Sequence, residues 1–345
     1  MSGPGVLPRV ASPTYGRSLI SSLPADLLER PIVLTQPEPW DLVRRSFREG
    51  HTQLLLVESM EHGDVAVRTD AFGAASAVFG IGGGSALDHA KYTAWKRGLP
   101  LVLVPTILSA DAAFTKAVAV REGARVRYVG EIFPEHLLVD FGLLERAPRV
   151  LNLSGVGDIL SIFTALWDWQ EASERLGEEY DPEIATAARG VLARLLAGAA
   201  DLGEGSERGL HLLAESYREE VLLCERAGNA RPEEGSEHYL AYCLESLTGR
   251  HYLHGRLIAL CTLLAGSVQG QDVEPVRRFV ADIGLDASLG AAGVSRREMR
   301  AALLAVGEYV RQEGQLLPGI FHFRGGIAEA EADDLLVRLQ NSLGD

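Results

Sequence analysis

Residues 79–91 read Phe-Gly-Ile-Gly-Gly-Gly-Ser-Ala-Leu-Asp-His-Ala-Lys, and this stretch decides the fold of the first part of the chain. An apolar run enters three consecutive glycines, Gly82, Gly83 and Gly84, and a helical pattern follows from Ser85. Glycine lets a backbone approach a pyrophosphate closely, and a helix N-terminus offers unpaired N–H donors with partial positive charge. The stretch differs from the G-x-G-x-x-G fingerprint. It predicts a phosphate- or dinucleotide-binding turn, and the alternative is a tight strand-to-helix turn without a ligand.

Short apolar runs recur on both sides of this glycine turn and alternate with amphipathic segments such as 40–49 and 85–97. Such alternation is typical of a parallel sheet with helices on its faces. Residues 117–127 alternate around a Glu-Gly pair and predict a β-hairpin instead. The predicted strands lie at residues 31–35, 53–57, 76–81, 100–104 and 136–140.

The second half of the chain is rich in Ala, Leu, Glu and Arg at helical spacing, with Asp181-Pro182 and Arg231-Pro232 as its main breakers. We therefore predict two domains. An α/β dinucleotide-binding domain with a parallel sheet covers residues 1–148, and an all-α domain covers residues 149–345.

The composition is that of a globular protein with an acidic balance. The 345 residues carry 47 acidic and 33 basic side chains, which gives a formal charge of −14. This balance argues against a dedicated nucleic-acid or anionic-membrane binder. The three cysteines form no C-x-x-C pair, and neither an 18-residue apolar run nor a secretory signal is visible. We therefore expect a soluble cytoplasmic protein with no membrane span and no nucleic-acid partner.

Two further groups of residues have chemistry of their own. Residues 104–116 follow a predicted strand, where the ligand-facing loops of parallel sheets lie, and they carry hydroxyls and one carboxylate. A capped turn is the alternative there. Asp158, His238 and His254 suit a divalent metal with an open fourth position. The two histidines are too far apart for one helix, so they would converge from two, and the alternative is that each is a surface or capping residue.

Three motifs in this order resemble one family. Residues 80–112 read GIGGGSALDHAKYTAWKRGLPLVLVPTILSADA, residues 154–170 read SGVGDILSIFTALWDWQ, and residues 228–245 read GNARPEEGSEHYLAYCLE, with His254-Gly255 after them. The combination resembles the iron-containing alcohol dehydrogenases, glycerol dehydrogenases and dehydroquinate synthases, and within them the glycerol-1-phosphate dehydrogenase branch. The resemblance implies a dehydroquinate synthase-like fold, with an α/β nucleotide-binding domain followed by a helical metal- and substrate-binding domain.

The resemblance also implies roles for single residues. NAD or NADP would lie against the glycine turn and the loop after Pro105, and a divalent metal, zinc with iron or nickel as alternatives, would be bound in the helical domain. The implied cofactor-binding residues are Gly82, Gly83, Gly84, Ser85, Asp88, Thr106, Ser109 and Thr115. The implied metal ligands are Asp158, His238 and His254, which form the catalytic set together with Asp111 near the substrate.

Several features depart from the family pattern. Arg256 follows His254-Gly255 where relatives often carry glutamate, and Tyr242 stands where relatives carry another histidine. The segment between Gln53 and Gly80 is short, and Gln-Pro-Glu-Pro at 36–39 replaces the usual loop after the first strand. These changes leave the three metal ligands intact and leave the substrate open.

Two cations are candidate substrate contacts. Arg256 could bind a phosphate or carboxylate, or it could be a solvated helix residue. The chain has only three lysines. Lys91 belongs to the glycine-turn motif, Lys96 is expected on the exposed surface of the same helix, and Lys116 is either a second anion contact or a surface residue.

The implied activity is that of a metal-dependent, NAD(P)-linked oxidoreductase of a small polyol or polyol phosphate, with glycerol-1-phosphate and dihydroxyacetone phosphate as the leading pair. The expected partners are a small-molecule substrate and further copies of the chain in a homo-oligomer. One alternative is a sugar-phosphate cyclase of the dehydroquinate synthase type, which recycles its NAD, but residues 112–117 lack the glycines of that branch. Another is an inactive scaffold, against which the three retained ligands argue.

Overall fold

The computed structural model describes residues 10–123, 125–312, 314 and 317–343. The first nine and last two residues, where the predicted domains 1–148 and 149–345 begin and end, lie outside the described residues. The described residues divide into two compact units, one up to Asn152 and the other from Leu153 onward. We call them the α/β unit and the helical unit.

A six-stranded parallel sheet forms the centre of the α/β unit, in the order β1-β8-β5-β4-β2-β3. An antiparallel hairpin lies outside the sheet and consists of β6 and β7. The helices of this unit are α1 (Pro37–Val43), α2 (His62–Asp70), α3 (Gly84–Arg97) and α4 (Phe141–Leu144). The strands are β1 (Pro13–Gly16), β2 (Ile32–Thr35), β3 (Gln53–Leu56), β4 (Val78–Gly82), β5 (Leu101–Pro105), β6 (Ala117–Glu122), β7 (Arg125–Glu131) and β8 (His136–Asp140).

Burial explains which strands the sequence predicts. Every residue of β2, β4 and β5 is buried, and strands covered on both faces read as continuous apolar runs. The edge strand β1 has the sequence Pro-Thr-Tyr-Gly and carries no such run. It was not predicted, because its strand conformation comes from pairing with β8, where Pro13 lies opposite Leu137.

The strand order creates a switch point between β2 and β4. The chain adds β3 on one side of β2 and then places β4 on the other side, so the connections after β2 and β4 leave in opposite directions. In open parallel sheets, ligands bind at the carboxyl ends of the strands at such a point. Here those ends are Gln36, directly after β2, and the glycine turn that begins at Gly82.

All regular elements among the described residues from Arg149 onward are helices. Most of them end at a glycine in the left-handed conformation, as α6 does at Gly177 and α11 at Gly270. Helix α11 is buried along nearly its whole length and packs against α6 and α10. The helices are α5 (Arg149–Ile159), α6 (Ile162–Leu176), α7 (Pro182–Ala197), α8 (Ala199–Glu204), α9 (Glu207–Ala227), α10 (Ser236–Thr248), α11 (His254–Gln269), α12 (Glu274–Asp282), α13 (Arg296–Gln312), α14 (Ile320–Arg324) and α15 (Glu329–Leu343).

One helical stretch, Arg149–Leu176, is long and apolar enough to cross a membrane by length and composition. It comprises α5 and α6, and 72% of its most apolar 18-residue segment is buried inside the protein. Core helices of soluble proteins pass the same test, so the stretch is weak evidence for a membrane span.

Candidate active site

The glycine turn between β4 and α3 requires glycine for steric reasons. Gly82 has a φ of 152°, and a Cβ at this position would lie 2.1 Å from Oε1 of Gln36. A Cβ at Gly83 would lie 2.8 Å from Cδ1 of Ile107. A side chain at either position would have to displace the tip of Gln36 or of Ile107, and the φ of Gly82 itself favours glycine. The backbone at Gly83 and Gly84 is partly exposed, whereas Gly82 is buried.

The start of α3 offers free backbone donors. Its N-cap Gly83 makes no side-chain cap, and Ser85 in the first turn is exposed. The loop after β5 lies beside this point, because the Thr106 N–H donates to the Gly82 carbonyl at 3.0 Å. Thr106 is buried, whereas the predicted cofactor and substrate residues Ser109, Asp111 and Thr115 of the same loop are half-buried. The structure thus brings most of the predicted cofactor-binding residues to one end of the sheet.

Asp88, another predicted cofactor-binding residue, makes an ion pair within α3. Its Oδ1 lies 2.7 Å from Nζ of Lys91, which is completely buried. The same Nζ donates to the Ala117 carbonyl at the start of the hairpin, also at 2.7 Å. Burial raises the pKa of Asp88, and the neighbouring Lys91 opposes that rise. The pair therefore connects α3 with the hairpin.

Gln36 is a site residue that the sequence did not single out individually. Its side-chain oxygen occupies the space in front of Gly82, at the switch point of the sheet. In the sequence, the Gln-Pro-Glu-Pro segment at residues 36–39 stood out only as an unusual loop after the first predicted strand. The contact with Gly82 depends on β2 and β4 being neighbours in the sheet, which their sequences do not encode locally.

Asp158, His238 and His254 converge in the helical unit from α5, α10 and the first residue of α11. Oδ1 of Asp158 lies 3.6 Å from Nε2 of His238 and 3.2 Å from Nε2 of His254. One ligand atom from each residue lies within 4.8 Å of the other two. Tetrahedral zinc with bonds of about 2.0–2.1 Å needs ligand atoms about 3.4 Å apart. The residues therefore fit a divalent metal, and the 39% exposure of the His254 side chain leaves one side open.

Two glycines next to the ligands allow this convergence. A Cβ at Gly157 would lie 1.9 Å from the Gly255 carbonyl oxygen, and a Cβ at Gly255 would lie 1.8 Å from the Ser154 carbonyl oxygen. Helices α5 and α11 thus touch through their backbones, beside Asp158 and His254 respectively. No side chain larger than hydrogen fits at either position without moving one helix.

Two buried side chains that the sequence analysis missed contact the candidate ligands. Nδ1 of His238 lies 2.9 Å from Oε1 of the completely buried Glu237. The Tyr217 hydroxyl donates to the Gly155 carbonyl at 3.0 Å and lies 3.4 Å from Oδ2 of Asp158. The signal for Glu237 was its position directly before His238 in the GSEH segment, whereas Tyr217 lies outside every motif.

The loop before α10 is fixed by another buried residue. Arg231 is completely buried, and its Nε donates to Glu178 at 2.7 Å. Its Nη1 donates to the Pro318 carbonyl at 2.9 Å. The sequence indicated only a helix break at this position. It did not predict the burial of Arg231, because an arginine in a loop is ordinarily exposed.

The triad of Asp158, His238 and His254 attracts positive charge. Burial alone would raise the pKa of Asp158, but His254 and His238 beside it hold that pKa well below its ordinary value. Burial lowers the pKa of His238, and hydrogen bonds to Asp158 and Glu237 more than offset this, so its pKa lies well above the ordinary value. Both shifts favour a cation at this point, and a divalent metal would compete with the proton for it.

The remaining candidates have other partners. Nζ of Lys116 lies 3.3 Å from Oε2 of Glu131 in the hairpin. Arg256 donates from Nη1 to the Ala291 carbonyl at 2.9 Å. It follows His254 by two helix positions, and side chains at that spacing do not face each other. The ring of Tyr242 lies 5.9 Å from that of His238, so this departure from the family pattern lies beside the triad.

Comparisons with known proteins identify the family to which this chain belongs. Residues 35–148 match the model of the iron-containing alcohol dehydrogenase family. A probable glycerol dehydrogenase from Sinorhizobium meliloti 1021 has a similar structure, with a TM-score of 0.73 over 96% of this chain and 97% of that one at 19% identity. This likeness confirms the predicted fold class, an N-terminal α/β part with a parallel sheet followed by helices.

Curated relatives extend the similarity along the chain. The glycerol-1-phosphate dehydrogenase [NAD(P)+] of Thermofilum pendens is 31% identical over 309 residues, which cover 85% of this chain and 88% of that protein. The protein of the same name from Haloquadratum walsbyi is 27% identical over 93% of this chain and 94% of its own length. The chain therefore belongs to the iron-containing alcohol dehydrogenase family. Its curated relatives within that family are glycerol-1-phosphate dehydrogenases, as the sequence motifs predicted.

Proposed function

We propose that the protein is a metal-dependent, NAD(P)-linked dehydrogenase of a small polyol phosphate, with glycerol-1-phosphate and dihydroxyacetone phosphate as its leading substrate pair. The observation that carries this proposal is the convergence of Asp158, His238 and His254 within 4.8 Å. The similarity to relatives named glycerol-1-phosphate dehydrogenase [NAD(P)+] supports this choice of substrate.

The triad would hold the metal, for which we propose zinc, with iron or nickel as alternatives. Held by these three residues, a divalent ion would supply Lewis-acid chemistry toward the substrate oxygen, and a bound nicotinamide would supply the hydride chemistry. His254 contributes the exposed side of the site, where a substrate can enter. His238 and Asp158 are largely buried and keep their geometry through Glu237 and Tyr217.

The glycine turn would bind the cofactor. The uncapped N-terminus of α3 supplies N–H donors for the pyrophosphate at Gly83, Gly84 and Ser85. Thr106, Ser109 and Thr115 supply hydroxyls from the neighbouring loop, and Asp88 fixes the helix through Lys91. Gln36, whose side-chain oxygen lies in front of Gly82, would be a neighbour of the bound cofactor.

Asp111, Lys116 and Arg256 are the proposed substrate contacts. Lys116 and Arg256 are the cations among them, and each already has a partner, in Glu131 and in the Ala291 carbonyl respectively. A phosphate bound by either residue would have to replace that partner. We also propose a cytoplasmic location and a homo-oligomer, which cell fractionation and light scattering of the purified protein test.

The activity test uses purified protein with zinc restored, NADH or NADPH, and a panel of carbonyl compounds that includes dihydroxyacetone phosphate. We expect loss of absorbance at 340 nm. His254→Ala should abolish metal-dependent turnover with the fold retained, since it removes one of three ligands. His51→Ala, which removes an exposed histidine from the turn before β3, is the matched control and should keep wild-type turnover.

Two outcomes would contradict the proposal. Unaffected turnover in His254→Ala would remove this residue from the ligand set. Cyclised product from a heptulosonate phosphate, formed without any net change in NADH, would identify the protein as a sugar-phosphate cyclase instead.

A further inference from the structure

We propose that Glu237 is a positioning residue of the metal centre, which orients His238 and supplies the second negative charge that a divalent ion needs there. This inference rests on the metal site of the proposed function. It concerns a residue outside the ligand triad.

The contacts of Glu237 fix the orientation of His238. Oε1 accepts hydrogen bonds from the Gly235 N–H at 2.7 Å and from Nδ1 of His238 at 2.9 Å. An ionised carboxylate only accepts hydrogen bonds, so Nδ1 must carry the proton. The lone pair of the neutral ring then lies on Nε2, which is the atom that faces Asp158. Carboxylate partners of this kind set both the tautomer and the ring orientation of metal-bound histidines.

Charge balance gives an independent reason. Glu237 is completely buried, and no lysine or arginine in the described part of the chain forms an ion pair with it. A buried carboxylate requires a compensating cation, and the ion-pair partner that the described residues give it is the ring of His238. A neutral, metal-bound His238 would no longer supply that charge. Asp158 and Glu237 together carry two negative charges around His238, and a divalent cation at the triad would neutralise both.

Helix α6 holds Glu237 from behind. The Thr164 hydroxyl donates to Oε2 of Glu237 at 2.5 Å. One turn further along α6, the buried Asp168 accepts the Ser236 N–H at 2.7 Å and the Ile320 N–H at 2.8 Å. The first turn of α10 is therefore bound to α6 at two successive points, and Glu237 has no freedom to leave Nδ1.

The test is the metal affinity of Glu237→Gln, measured with Zn²⁺ against a chromophoric chelator. Glutamine keeps the size and an acceptor oxygen but removes the charge. We expect the dissociation constant for Zn²⁺ to rise about 10- to 100-fold, the usual cost of losing a carboxylate behind a metal-bound histidine. The visible spectrum of the Co²⁺-substituted protein should shift, while NADH affinity stays unchanged because the glycine turn is untouched.

Glu178→Gln is the matched control. It breaks the buried ion pair with Arg231 in the loop before α10 but touches no ligand. It should lower the melting temperature and leave Zn²⁺ affinity at the wild-type value. Thr164→Val provides a second variant, which keeps the charge of Glu237 but removes one of its donors, and it should weaken Zn²⁺ binding several-fold with the fold retained.

The outcomes separate this inference from the proposed function. Wild-type protein that binds no Zn²⁺, Co²⁺ or Fe²⁺ would reject the metal centre itself. Wild-type binding that Glu237→Gln and Thr164→Val both leave unchanged would overturn only the role of Glu237. Equal weakening by Glu178→Gln would also overturn it, because the effect would then be a general loss of structure around α10.

Discussion

At the scale of single residues, the candidate metal site depends on two glycines, which have no side chain, as much as on the side chains of the candidate ligands. Gly157 precedes the candidate ligand Asp158, and Gly255 follows the candidate ligand His254. The hydrogen atoms of both glycines face the backbone of the opposite helix. A methyl group at either position would meet a carbonyl oxygen closer than 2 Å. Backbone atoms cannot rotate away as a side chain does, so the two helices would have to separate.

Gly255→Ala should therefore weaken Zn²⁺ binding at least tenfold and destabilise the apoprotein by about 3 kcal/mol, at the upper end of ordinary overpacking. Titration with a competing chelator and urea unfolding measure the two effects. Gly190→Ala in α7 is the matched control. Its new methyl group would lie 3.6 Å from an Arg194 nitrogen, and we expect a gain of up to about 1 kcal/mol from helix propensity. Wild-type Zn²⁺ affinity in Gly255→Ala would show that α5 and α11 can separate without moving the ligands.

The sequence predicted the candidate ligands, but not the way in which the fold brings them together. Asp158, His238 and His254 were recognisable from their order and motifs. That Gly157 meets Gly255 depends on the pairing of α5 with α11, which are separated by about a hundred residues of chain. Glu237 and Tyr217 were missed for the same reason, since their partners are defined only in the folded unit.

At the scale of secondary structure, α3 shows that hydrophobic periodicity can predict a helix without predicting which of its side chains are buried. The segment after the glycine turn was predicted as a helix and is one, but Lys91 was not expected to have a structural role there. It is completely buried and joins Asp88 to the hairpin carbonyl of Ala117. A pattern rule treats lysine as exposed, and only the position of the β6–β7 hairpin against α3 explains its burial.

Lys91→Met should cost about 3 kcal/mol of unfolding free energy, the lower end of the range for a buried pair, because it leaves the half-buried Asp88 without its cation. Asp88→Asn combined with Lys91→Met should cost clearly less than the sum of the two single changes. A double-mutant cycle by chemical denaturation of the apoprotein measures this coupling. Strictly additive costs would mean that the two side chains contribute independently, and that the 2.7 Å contact between them carries no net energy.

At the scale of the whole molecule, the acidic composition and an anionic cofactor are compatible. A formal charge of −14 argues against a broad basic surface as the means of binding. The proposed contacts are local instead: backbone N–H groups at the start of α3 in one unit, and a divalent cation at the triad in the other. The sequence could therefore predict anion binding only through motifs, since the net charge points the other way.

The two units also contain buried groups with opposite pH dependence. His89 in α3 is buried, neither ring nitrogen has a hydrogen-bond partner among the described residues, and burial together with Arg68 lowers its pKa to about 4. Asp168 in α6 is completely buried, and burial together with the nearby Glu237 raises its pKa to about 7. The ordinary values are 6.5 and 3.8.

We therefore expect acidification from pH 6.5 to 4.5 to destabilise the α/β unit and stabilise the helical unit. In this range the unfolded chain binds a proton at His89 that the folded α/β unit excludes, so stability is lost as the pH falls. At Asp168 the folded unit keeps a proton that the unfolded chain releases, so its contribution is complete below pH 3.8 and is lost as the pH rises through about 7. Each group changes the free energy of unfolding of its unit by a few kcal/mol, since a shift of one pKa unit corresponds to about 1.4 kcal/mol.

Hydrogen exchange measured by mass spectrometry, corrected for intrinsic rates, reports on both units in one sample. His89→Leu should remove the pH dependence from α3 and its neighbours, and should raise their protection at pH 5 more than at pH 8, because an orphaned imidazole no longer has to stay neutral. Asp168→Asn should flatten the dependence around α6, α10 and α14 only. If both units lost protection in parallel on acidification, and each variant changed both, then global charge rather than these two buried groups would control the pH dependence of stability.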